Sequence, residues 1–270
     1  NVTQGVLSLT GGGTHTGSFS SGNDGWVEFA GSSSKPTHDL NSGASVTGNA
    51  RMVASFGALV VNTGATYNAS KTEIIRNGKF SVASGMTANT GTLTMSDGDL
   101  HGVGNLAVSG LTAYSGGQIG GDGGNVIANG GLNISGANNK TLGHSNGTGS
   151  SGIVNNGAGT WTGTGDIRNW ASGRFTNSAG AALDIQTDAD FINGTFINQG
   201  TLTKSVGATD GSDKTVISGA FENSGSVNVQ QGTLEVTRAF NNQGVINVAT
   251  GAIFHGNNAN FANDGILQGN

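Results

Sequence analysis

Three clusters of acidic residues are the first candidates for chemistry: Asp184, Asp188 and Asp190 in LDIQTDADF, Asp97 and Asp99 in MSDGDL, and Asp210 with Asp213 in TDGSD. Cleavage of a glycosidic bond takes two carboxylates flanking it, one to donate a proton and one to attack or to activate water. On a repetitive chain those groups would come from neighbouring repeats, and none of these acids has an acid or base at the equivalent place one repeat away. The expectation is therefore no catalytic residue. DIQTDAD and TDGSD also space oxygen ligands as a Ca²⁺ site would. A solvated loop explains them more simply, so Ca²⁺ stays an alternative to an expectation of no cofactor and no metal.

Other chemistry is sparser. GGDGGN at 120–125 has the look of a calcium-binding nonapeptide, but that architecture needs tandem copies and it occurs once. His15, His38, His101, His144 and His255 stand apart without metal-ligand spacing. No phosphate-cradling loop or nucleophile motif is present. Sequons at Asn1, Asn68, Asn133, Asn146 and Asn193 are as frequent as so much Asn, Ser and Thr produces by chance.

The elements that would position such groups follow from composition and periodicity. The chain has 270 residues with 50 glycines, one proline, no cysteine and 10% charged residues, against about 25% charged in an ordinary domain. Disordered chains are poor in β-branched residues, whereas Val, Ile, Leu and Thr alternate here, and collagen's Gly period is missing. Eleven Lys and Arg, scattered singly in a chain of net charge −5, form no patch for nucleic acid or anionic lipid. No apolar stretch has the length of a membrane helix.

A phrase repeats. Phe175 with Asn177, Phe196 with Asn198, Phe221 with Asn223, Phe240 with Asn242 and Phe261 with Asn263 recur in steps of 21, 25, 19 and 21 residues. Each copy continues through glycine into alternating pairs such as Val227 and Val229, then Leu234 and Val236. Alternation of period two predicts half-buried strands. A unit of about 20 residues cannot bury its own apolar face, so it must stack on its neighbours. The reading is all-β, a right-handed parallel β-helix (β-solenoid) with rungs of about 19–26 residues. Handedness rests on the general crossover preference.

The expected extent is 1–270 as a single elongated solenoid of about thirteen rungs, roughly 60 Å long at the strand spacing. Residues 1–60 are less regular, with a loop around Ser32 to Thr37 at Pro36, and 175–270 are the most regular. Between them Phe80, Leu93, Leu106, Ile119 and Leu132 keep a step of 13, which predicts either two strands per 26-residue rung or a changed cross-section.

Within the phrase, Asn177, Asn198, Asn223, Asn242 and Asn263 share a strand face with the phenylalanines and are expected to form a ladder of side-chain amides. Phe175, Phe196, Phe221, Phe240 and Phe261 are expected to stack in the core, with an exposed sugar-binding stripe as the alternative. Trp26, Trp161 and Trp170 lie outside the aligned positions, and GTWTGTGDIRNW has room for an outward aromatic platform.

AFENSGSVNVQQGTLEV, AFNNQGVINVATGAIF and TGTGDIRNWASGRFTNSAGAALDI resemble the repeats of bacterial secreted β-helical adhesins, the filamentous-haemagglutinin-like and autotransporter-passenger group, over roughly 85–270. The resemblance implies export, an extracellular or bacterial cell-surface location, and adhesion or a biofilm-matrix role. The expected function is a non-enzymatic structural or adhesive solenoid contacting surface glycans or matrix, without nucleic acid or membrane insertion. A carbohydrate-active protein using Asp184 to Asp190 is the alternative. NVTQGVLSL at 1–9 aligns with NVQQGTLEV at 228–236, which makes the two ends complementary parts of one rung and predicts head-to-tail self-association into a filament.

Overall fold

The computed structural model describes residues 1–31, 37–53, 58–121, 123–145, 149–207, 213–257 and 260–269. The loop expected at Pro36 falls outside them, as do Asp122, Asn146 and Asp210. Among the described residues there is strand and turn but no helix. Parallel pairing joins 21 strands into one sheet and 12 into a second, with one strand of the second sheet per turn. The chain is thus a β-solenoid of about 12 turns, one fewer than the repeat length suggested.

One rung shows the plan. Ala220–Asn223 and Ser226–Val229 lie in the first sheet and Thr233–Val236 in the second. Phe221, Val227, Val229, Leu234 and Val236 are fully buried, because alternation turns them to one side of each strand. Burying side chains of this size contributes about 1.5–3 kcal/mol each. No rung could collect that alone, since the facing surface belongs to the rungs above and below.

The glycine of the F-x-N-x-G phrase is set by proximity. A Cβ on Gly225 would sit 2.1 Å from the Gly200 carbonyl oxygen, so the corner admits no side chain. Gly232, which opens the second-sheet strand, instead has φ near 70°, a conformation that glycine adopts without steric cost.

Register offsets between rungs run from 18 residues, Thr87 to Asn105, up to 27, Leu132 to Gly159. That range is slightly wider than the repeat implied. The step of 13 has a simple origin. Phe80 and Ile119 lie in the second sheet, whereas Leu93, Leu106 and Leu132 lie in the first. Rungs there hold three strands in about 20 residues, and the beat counts every second strand. Neither expected alternative holds.

The early rungs differ in one respect. Ser18–Ala30, Ser45–Val53, Thr66–Ile75 and Thr87–Met95 are single strands spanning both halves of the first sheet. Thr87–Met95 then pairs with two shorter strands, Asn105–Val108 and Thr112–Tyr114.

The opening segment sits in a different place from its sequence alignment. Val2–Leu9 pairs with the first sheet, Leu7 beside Val27 and Leu9 beside Phe29. Following that column rung by rung leads through Met52, Ile74, Met95, Tyr114, Ile134, Trp161, Ile185 and Lys204 to Val229. Leu7 and Leu9 therefore correspond to Val227 and Val229, not to Leu234 and Val236. The shared glycine misaligned the two segments.

Candidate functional site

Two inward columns run through the most regular rungs. In the first, Asn155 Nδ2 donates to Asn177 Oδ1 at 2.9 Å, Asn177 to Asn198 at 2.8 Å, Asn198 to Asn223 at 2.7 Å, Asn223 to Asn242 at 2.6 Å and Asn242 to Asn263 at 2.6 Å. Each of the six amides also donates to a corner backbone carbonyl, for example Asn198 to Ser226 at 3.0 Å. A carbonyl only accepts, so these contacts fix which end of each amide is the NH₂. Asn155 through Asn242 are buried, and Asn263 is exposed.

Asn155 joins the ladder although no phenylalanine precedes it; Ile153 holds that place. Its signal was I-x-N-x-G at 153–157, one register step before Phe175. Earlier rungs fill the same corner with Ala128, Val108, Thr90, Ala69 and Gly48.

In the second column Phe175 and Phe196 have ring centroids 5.0 Å apart, Phe196 and Phe221 5.6 Å, Phe221 and Phe240 5.2 Å, and Phe240 and Phe261 4.9 Å. The geometry varies from stacked to edge-on, as aromatic pairs prefer. Phe175, Phe196, Phe221 and Phe240 are buried and only Phe261 is exposed, at 39%. They form no outward sugar-binding stripe.

The acidic clusters do not converge. Asp97 Oδ1 accepts from the Gly98 N–H, and Asp99 pairs with Lys79 at 3.4 Å on the neighbouring rung. Asp184 accepts from Gln186, and Asp188 pairs with Lys204 at 2.6 Å. Asp190 Oδ1 accepts from the Val216 N–H, while Asp166 Oδ1 accepts from the Asp190 N–H. Asp213 is exposed. Lys79 beside Asp99, and Asp166 one rung from Asp190, correct the expectation that no acid or base stands on an adjacent rung. A varying rung length had hidden that registry.

Burial pushes the Asp190 carboxyl above the usual carboxylate range, and nearby Asp166 adds to the rise, while the Val216 N–H and Lys214 oppose it. Glu235, on the next rung in this column, pairs with Lys214 at 2.6 Å. That hydrogen bond holds its carboxyl low, helped by His255.

Two lysines were not singled out from sequence. Lys204 stands fully buried in a column otherwise held by Ile185 and Val229. Its amine reaches the Thr187 carbonyl at 2.6 Å as well as Asp188. Lys140, also buried, donates to the Gly136, Asn138 and Gly165 carbonyls. The phase of TLTK, with Leu202 and Lys204 on one side, was the available signal.

Two histidines separate in sequence meet in space. His15 and His38 stack with centroids 5.4 Å apart, and His15 Nε2 lies 3.2 Å from His38 Nδ1. His38 Nε2 contacts the Ala30 carbonyl at 3.0 Å and must donate there, so its Nδ1 accepts from His15. Among the described residues no group of three or more His, Asp or Glu is placed to hold a metal ion.

The three tryptophans have three fates. Trp161 is fully buried. Trp26 has the Arg51 guanidinium 4.3 Å from its ring centroid. Trp170 is 47% exposed and borders a trough on the outer surface with Asn169, Asn193, Gly219 and Arg238. Polar grooves elsewhere include one lined by Lys79, Asp99, His101, Gln118 and His144 on the second sheet.

Comparison with family models, with curated proteins and with solved structures finds no match. The chain is a β-helical repeat protein by its architecture.

Proposed function

We propose that this chain is a non-enzymatic structural and adhesive rod of the bacterial cell surface or extracellular matrix. The observation that carries the reading is the pair of inward columns. Where a solenoid enzyme would spend polar groups on a cleft, the amides from Asn155 to Asn263 and the phenylalanines from Phe175 to Phe261 are spent on one another and on backbone. About 12 turns at about 4.8 Å give a stiff body of roughly 55 Å, and its outer faces make the contacts. Its partners are surface glycans or matrix polymers and further copies of the chain stacked head to tail.

Beads coated with the chain test adhesion directly: retention on cells or on polysaccharide-coated surfaces is expected, and retention no better than on uncoated beads overturns the reading. Electron microscopy tests stacking. Filaments that lengthen with protein concentration are expected, and monodisperse single rods remove the self-association part.

A second reading, a polysaccharide-cleaving solenoid, draws on Asp166 and Asp190 standing on adjacent rungs with the Asp190 carboxyl raised. It requires new reducing ends or unsaturated sugars from a polysaccharide panel, lost in Asp190→Asn. Absence of product with native protein removes it.

A further inference from the structure

We infer that the trough between Trp170 and Arg238 is a binding site for an acidic sugar residue of a polysaccharide, an inference that deepens the adhesive reading and rests on it. The trough runs along the solenoid axis. Asn169 neighbours Asn193, with its Nδ2 donating to the Ile192 and Asn193 carbonyls at 3.1 Å. The Ala220 N–H donates to the Gly194 carbonyl at 2.9 Å, and the strand pairing one rung later sets Arg238 after Val236. Trp170 and Arg238 therefore bracket two rungs, a separation of about 14 Å at about 4.8 Å per rung.

Between them the floor is Gly194, Gly219 and Ala220, and two of these positions admit no side chain. A Cβ on Gly194 would meet the Gly173 carbonyl oxygen at 2.4 Å, and one on Gly219 the Asn193 carbonyl oxygen at 2.3 Å. The floor is kept low by the backbone itself, which leaves an indole wall, a guanidinium wall and an apolar base.

Each wall has unused binding capacity. Trp26 already has Arg51 over its ring and Trp161 is buried, so Trp170 is the tryptophan with an open face. Arg238 is exposed and, among the described residues, has no ion-pair partner. Asn169 adjoins the trough, is 93% buried by its 7% exposure, and its Oδ1 has no hydrogen-bond partner. An orphaned buried acceptor of this kind costs free energy until a donor reaches it.

These groups ask for a ligand with a flat apolar face, hydroxyl donors and a carboxylate. A pyranose C–H face packs on indole, a hydroxyl supplies the donor, and a guanidinium binds carboxylate through paired hydrogen bonds. A uronic acid residue combines all three. A neutral sugar lacks the group that Arg238 is free to bind, and a nucleic acid would need more cations than this trough offers.

The probe is a short oligogalacturonate, set against neutral oligogalactose of the same length, with the full native chain titrated by calorimetry and by tryptophan fluorescence. Expected are saturable binding of the uronate with a change in Trp170 emission, about tenfold weaker binding after Arg238→Gln with the acidic preference gone, and loss of both after Trp170→Ala. Tenfold corresponds to about 1.4 kcal/mol, the lower end for a hydrogen bond to a charged group. Both side chains are exposed, so unchanged circular dichroism should accompany each substitution.

No binding of the uronate to the native chain, equal affinity for the two oligosaccharides, or binding unaffected by Trp170→Ala each overturns the inference. Bead adhesion separates it from the broader reading. Adhesion that survives in the Trp170→Ala, Arg238→Gln double variant overturns the trough as the adhesive site and leaves adhesion standing. Uronate binding without adhesion keeps the trough and removes the adhesive role.

Discussion

The rungs before Met95 and those after Ser151 meet the same problem at the same corner of the first sheet and answer it differently. Early on, each buried polar group is satisfied by its own arrangement. Asn49 Nδ2 lies within 3.0 to 3.2 Å of the Gly22, Asn23 and Gly25 carbonyls, and Tyr67, Thr72 and Thr90 join hydroxyl to hydroxyl. Later, one residue type at one position satisfies itself from rung to rung. A strict column lets a side-chain hydrogen bond repeat in step with the backbone, whereas a varied column needs a separate solution at every level. The later rungs gain regularity by this, and they also become mutually dependent.

The largest expected effect breaks that dependence. Phe196→Ala removes a ring packed against Phe175, Phe191 and Phe221 and should cost about 3–5 kcal/mol. In denaturant melts followed by hydrogen exchange, the later rungs should lose protection first while the rungs before Met95 keep theirs. Uniform loss along the chain would mean that the two regions unfold as one.

Asn198→Leu is next, at roughly 2–4 kcal/mol, because the neighbouring amides of Asn177 and Asn223 lose a buried partner. An equivalent loss from Thr90→Val, in the varied column, should be smaller. Equal losses would show that the ladder adds nothing beyond its individual bonds.

A smaller effect belongs to the early rungs alone. Burial, and then His38, hold the His15 pKa below its ordinary value of 6.5. Protonation therefore favours the unfolded chain, so this contribution is present above pH 6.5 and is lost as pH falls below it. Amide protection around His38, corrected for intrinsic exchange, should drop on acidification in the native chain and much less in His15→Gln. A drop of the same size in both would assign the effect elsewhere.

The smallest change tests the buried lysine. Lys204→Met replaces a desolvated cation in an apolar column, and Asp188, 37% exposed, can return to water. Stability should shift by less than about 1 kcal/mol in either direction. A loss above about 3 kcal/mol would make the Lys204 contacts to Asp188 and Thr187 a structural requirement.

Much of the later region was readable beforehand because identity repeats there. Phe221 and Asn223 announce a shared face two residues apart, and their copies at similar spacing announce stacking. What escaped shows the limit of that signal. Asn155 was missed because Ile153 replaced its phenylalanine. Asp166 and Asp190 were not seen as neighbours because rung length varies between 18 and 27 residues, so a fixed period cannot register them. The His15 and His38 pair and the Trp170 trough depend on which residues a turn brings together across rungs, which alternation within one strand does not encode.

The amide ladder also has a direction. All five bonds between its asparagines point the same way, from Asn155 toward Asn263, so their dipoles add instead of cancelling, as peptide dipoles do along a helix. The column is a one-way sequence of donors and acceptors. Two such bodies meeting with like ends would set NH₂ against NH₂ or oxygen against oxygen at this corner. Meeting with unlike ends, they would continue the sequence without a fault, so any association through these faces is biased toward a polar polymer and away from a symmetric pair.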